Sequence, residues 1–117
     1  MLNKKRKKET QATAKLIARD FGMEKLEKEA LTEEQLLQLL ETQVAYYIEH
    51  NLDFLLSSLY RLDISEKLVR NALLPSSDVA ANVAIAKLIL DRQKKRVFTK
   101  QFYKQKEIED LGEEWKF

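Results

Sequence analysis

"LTEEQLLQLLETQVAYYIEH" (residues 31–50) decides the fold. Thr32 followed three residues later by Gln35 forms a capping box, and Glu33 and Glu34 fall in the electropositive first turn of the helix it starts. Leu36, Leu37, Leu40, Val44, Tyr47 and Ile48 then share one face, roughly 120° wide at about 100° per residue. A helix with such a face needs other apolar surfaces to cover it. Leu39 and Tyr46 lie off that face, as edge packing or as part of a partner surface.

The flanking sequence supplies the covering surfaces. Upstream, Ala14, Ile17, Ala18 and Phe21 recur at helical spacing, Gly22 is placed to end that helix, and a weaker helical stretch covers residues 23–30. Downstream, "NLDFLLSSLYRL" (51–62) reads as a short helix beginning near Asn51 or Asp53. Phe54, Leu55, Leu56, Leu59 and Leu62 make it apolar on nearly every side, which predicts a central place. "ISEKLVRNALL" (64–74) carries a stripe of Ile64, Leu68, Val69, Ala72 and Leu73, with Ser65 as its cap and Ile64 stapled to Val69. Pro75 and the polar residues after it end that helix. A last helix is expected over residues 78–105, about 40 Å long. Its 83–90 stretch is apolar on most sides, and beyond Asp91 only a thin apolar line continues through Val97.

Two Gly and one Pro in 117 residues leave few of the tight turns that sheets require. The class is therefore all-α: a compact bundle of four to five helices with a long C-terminal helix. At 44% apolar residues, one domain of this length has material for a core. The expected layout is a disordered basic arm at 1–8, a helical bundle at 9–105 and an acidic tail at 106–117. With no Cys, disulfides and thiolate metal sites are excluded. The basic run at 4–8 is followed by "ETQATAKLIARDF", which lacks the apolar core of a signal peptide. "VAANVAIA" (79–86) is far short of the ~20 residues that span a bilayer. A cytoplasmic protein that enters no membrane is the expectation.

Charge is unevenly placed. Residues 4–8 carry +5 and residues 90–106 carry +6, whereas residues 9–89 sum to −5 and residues 107–117 to −4. In "LDRQKKRVFTKQFYKQK" (90–106), Arg92, Lys94, Lys95, Arg96, Lys100 and Lys104 are candidate contacts to nucleic acid or to a protein partner. Phe98 and Phe102 among them could stack on unpaired bases. At i and i+4 they are expected instead to stack on each other and meet another helix, with the Lys and Arg stems covering apolar surface. Residues 53–74 offer a helix-turn-helix-like alternative. Asp63 would stand where a left-handed turn residue is needed, and Ser65, Lys67, Arg70 and Asn71 would face the groove. Glu66 among phosphates and Arg61 at an expected apolar position count against it.

No nucleophile–base pair, phosphate loop or zinc signature is present, so no catalytic residue, cofactor, metal or small-molecule substrate is assigned and a non-enzyme is expected. The one histidine, His50, lies near Glu49 and Asp53, but three or four ligands are needed for a metal, and a His at a helix C-terminus is better read as a dipole contact. The acidic tail is complementary in sign to the basic stretch. It either folds back on it or reaches a neighbouring chain, with Leu111 and Trp115 as anchors. A homodimer through the last helix is a further expectation, because two-fold pairing is the commonest assembly.

On "LSSLYRLDISEKLVRNAL" (56–73) and "AKLILDRQKKRVFTKQFY" (86–103), the chain resembles a group of small uncharacterised bacterial all-helical proteins, the likeness covering residues 33–103. The resemblance implies an all-helical cytoplasmic protein and supplies no catalytic residue, ligand or partner. The expected function is a non-enzymatic helical interaction or structural module that binds a protein or itself. The alternative is nucleic-acid binding through residues 92–104 or 53–74.

Overall fold

A computed structural model describes the backbone of residues 2–23, 26, 31–75 and 78–114, and within these the side chains from 8 to 103. Five helices are present among the described residues: α1 (Leu2–Phe21), α2 (Glu33–His50), α3 (Leu52–Arg61), α4 (Glu66–Leu73) and α5 (Ala81–Glu114). They form an all-α bundle built around the first half of α5.

Local chemistry sets each helix end. Gln35 N–H donates to the Thr32 hydroxyl at 3.1 Å while the Gln35 side chain accepts from the Thr32 N–H at 3.0 Å, so the expected capping box is formed. Gly22 (φ 67°) ends α1 in the left-handed conformation, with Met23 N–H closing back on the Ala18 carbonyl at 3.0 Å. Asp63 (φ 58°) does the same after α3. Its N–H reaches the Tyr60 carbonyl, and Ile64 N–H reaches that of Leu59. This is a Schellman turn, with Ile64 and Leu59 both buried as its apolar pair. Asn51 alone joins α2 to α3: its N–H bonds the Tyr47 carbonyl and its side chain accepts from Phe54 N–H.

The core is continuous through α1, α2, α3, α4 and α5. Ile17, Phe21, Leu36, Leu40, Val44, Leu55, Leu59, Ile85 and Ile89 are wholly buried. Asn82 on α5 donates to the Glu41 carbonyl and Lys94 meets Glu33, so α2 runs antiparallel to α5. Packing of α5 is most extensive against α2 and α1, with α4 on a further side.

Five expectations change. α1 begins at Leu2, so residues 2–8 continue the helix where a disordered arm was expected. Elongation from the buried 13–21 segment needs no new nucleus, and Lys and Arg are good helix formers. α5 starts at Ala81 rather than 78 and runs on through residues 106–114 of the tail, which makes it about 51 Å long. α3 packs chiefly on α2 and exposes Leu52 and Tyr60, so the centre belongs to α5. On α4 the buried arc is Val69, Ala72 and Leu73. Leu68 lies about 90° from its middle and is half exposed. Ser65 holds the N-cap position of α4 without a side-chain cap bond, and the buried Ile64 and Val69 fix the approach instead. The helical stretch expected at 23–30 falls mostly outside the described residues, although Met23 and Leu26 both pack on the core.

Adjacent leucines on α2 test this register. Leu40→Ala should lower the unfolding free energy by about 2–5 kcal/mol in urea titrations, and Leu39→Ala, at a 43% exposed position, by well under half of that. Equal losses would contradict the packing described.

Candidate interaction surface

The six basic candidates of the C-terminal helix do not form one outward face. Arg92 Nε donates to the Leu62 carbonyl at 2.7 Å, satisfying an acceptor at the end of α3 that the helix leaves open. Lys94 Nζ lies 2.7 Å from Glu33 Oε1 at the start of α2, an exposed pair of small energetic value. Arg96 Nη1 donates to Gln93 Oε1 at 3.1 Å and approaches Asp20 Oδ2 at 3.5 Å. Two cations, Arg92 and Arg96, are thus employed inside the fold, and Lys94 is paired at the surface. Lys95 and Lys100 are exposed, with no ion-pair partner among the described residues, and the Lys104 side chain lies outside them.

Behind Arg96 sits a polar group that sequence reasoning missed. Gln93 is wholly buried at the α1–α5 contact, and its Nε2 donates to Asp20 Oδ2 at 2.8 Å. Arg19 Nε donates to the other Asp20 oxygen at 3.3 Å. Asp20 therefore gathers donors from Arg19, Gln93 and Arg96 at the C-terminal end of α1. A buried amide held on both ends in this way is satisfied, and it fixes how α1 meets α5. The only signal in sequence was position: Gln93 stands between Ile89 and Val97 on the apolar line of α5.

Ser65, Lys67, Arg70 and Asn71 are all exposed, at the N-cap and along the outside of α4. Asp63 has the left-handed geometry that the helix-turn-helix-like reading requires. Glu66, however, bonds Arg70 at 2.6 Å, and this hydrogen bond, with the carboxylate charge, raises the Arg70 pKa above its ordinary value. The guanidinium stays protonated, but its charge is already answered locally. His50 is exposed, stacked on Tyr46 with ring centroids 4.6 Å apart and 3.8 Å from Glu49. Among the described residues no three His, Asp or Glu side chains converge on a point that could hold a metal, and no helix is long and apolar enough to cross a membrane.

The largest unpartnered feature is the outer part of α5. Every residue from Phe98 to Tyr103 is exposed, nearly two turns, so no face of the helix is buried there. Phe98, Phe102 and Tyr103 are 66%, 55% and 58% exposed. Phe102 meets Tyr103 edge-on at 5.8 Å rather than stacking on Phe98, because no neighbouring helix presses the two Phe rings together. Where this stretch leaves the body, a groove of about 710 Å³ opens between α1, α2 and α5. Leu36, Leu90 and Val97 give it apolar lining, Phe98 lies beside them, and Glu33, Lys94 and Lys95 also line it.

No known family model, curated protein or solved structure matches the chain.

The buried network makes its own prediction. Asp20→Ala should cost about 1–3 kcal/mol by stranding the Gln93 amide, and Arg96→Ala added to it should cost little more. A double-mutant cycle by urea denaturation reads the coupling. Additive losses would show that Arg96 is not held by this network.

Proposed function

We infer that the protein is a non-enzymatic interaction module whose contact element is the outer part of α5. One observation carries this reading: three aromatic side chains stand exposed within six consecutive residues of a helix, all of them exposed. Aromatic residues are enriched at the centres of protein interfaces, and leaving three in water costs free energy that a partner recovers. The inward use of Arg92 and Arg96 favours a protein partner over a polyphosphate, which would need those cations free.

A photo-crosslinking amino acid placed at position 102 should trap protein in cells. Changing Phe98 and Tyr103 together to Ser should abolish the adduct. If position 102 yields no protein adduct, the reading fails.

A second reading, nucleic-acid binding, is supported by the left-handed turn at Asp63 together with exposed Ser65, Lys67, Arg70 and Asn71. It expects retention of duplex DNA that falls steeply with salt. In Lys67→Ala or Arg70→Ala the log–log salt slope should shrink by about 0.9 for each phosphate that the variant no longer neutralises. Retention unchanged in both variants removes it.

A further inference from the structure

We propose that the partner of the outer α5 is the outer α5 of a second copy, paired antiparallel, with Trp115 of each chain seated in the groove at the base of the other's helix. This rests on the interaction-module reading and specifies its partner. Charge is the first support. Residues 94–104 carry five cations and no anion, whereas residues 107–114 carry five anions and no cation. In a parallel pair these blocks would face their own kind. In an antiparallel pair the ends of each basic block meet an acidic one, and only Lys104, at the two-fold axis, faces its own kind. Placing Lys95 opposite Glu113 of the second chain also places Lys94 opposite its Glu114, and brings Trp115 level with Gln93, beside the groove. The arrangement is two-fold symmetric, so both grooves fill together.

Chain length decides that the occupant comes from another molecule. α5 continues to Glu114, sixteen residues beyond Phe98, a distance of about 24 Å along the axis. Trp115 is one residue further on, and a single extended residue spans only ~3.5 Å. A chain cannot bring its own Trp115 back to its own groove while α5 is intact. A second antiparallel helix brings one there directly. The groove, at about 710 Å³, is roomy enough for an indole, with the exposed Phe98 against the ring and Lys95 near the acidic residues that precede it. An aromatic anchor inserted in a pocket and rimmed by charge is a common form of strong interface contact.

The test uses the full chain, in which Trp115 is the only tryptophan. Light scattering should show a species of twice 13.8 kDa that dissociates on dilution, with the Trp115 emission moving to the red as it does so. Lys95→Glu with Lys100→Glu, both at exposed positions, should raise the dimer dissociation constant on the order of tenfold or more while the circular dichroism stays helical. Adding Glu109→Lys and Glu113→Lys to that variant should restore the dimer. A mass of 13.8 kDa at every concentration overturns the proposal, as does a dimer indifferent to the double reversal or a dimer that leaves the emission unmoved. A monomer that still gives a crosslink at position 102 to a different protein overturns self-pairing alone. Absence of any protein adduct there overturns the module reading as well.

Discussion

Ile85, Ile89 and Leu90 on α5 are the surface on which the bundle closes. α1, α2 and α4 all pack against α5, and α3 joins through α2. With one helix as the shared wall, burial of its apolar half couples the positions of the others, and nonlocal packing rather than intrinsic propensity supplies most of the helical stability. The same helix then leaves the core, and every residue from Phe98 to Tyr103 is exposed. Its two halves meet at Gln93 and Val97, the last buried residues on it among those described. Up to that boundary the chemistry of α5 is that of a core. Beyond it, from Phe98 to Tyr103, α5 offers only surface.

Polar contacts at the boundary keep the two roles apart. Arg92 is committed to the end of α3, Lys94 to the start of α2, and Arg96 with Gln93 to the end of α1. Each of these ties a neighbouring helix terminus to α5 at one level of the molecule. Cations that look like a ligand-binding run in the linear sequence thus act largely as clamps on helix ends, where backbone carbonyls and a carboxylate await donors. What remains outward is Lys95, Lys100 and the three rings.

Much of the fold was legible because its determinants are local. The Thr32 box, the Gly22 stop, the Asp63 turn and the Leu36–Leu40–Val44 face each depend on residues within a few positions of one another, and all appear as read. The misreadings share the opposite property. Leu68 was placed on the α4 stripe because spacing alone cannot say where the middle of a short buried arc falls. The Asp20–Gln93 contact joins residues 73 apart, and no periodicity announces it. The basic stretch was legible as charge but not as geometry. Which lysine faces a carboxylate is set by how α1 and α2 meet α5, a property of the assembled bundle. Phe98 and Phe102 were expected to find a neighbour because helical spacing put them together, yet both rings are exposed.

The junction at Asn51 has a consequence for how this chain can change over generations. One residue closes α2 and opens α3, and it carries both sets of end contacts. Substitutions that keep a short polar side chain there preserve the corner. A change of length does not: a residue inserted or deleted there breaks the pairing of the Tyr47 carbonyl and the Phe54 N–H with the backbone and side chain of one residue, and shifts where Leu55 and Leu59 enter the interior. The corner therefore acts as a fixed hinge pin, and natural variation in length should gather elsewhere, in stretches such as the one between α4 and α5.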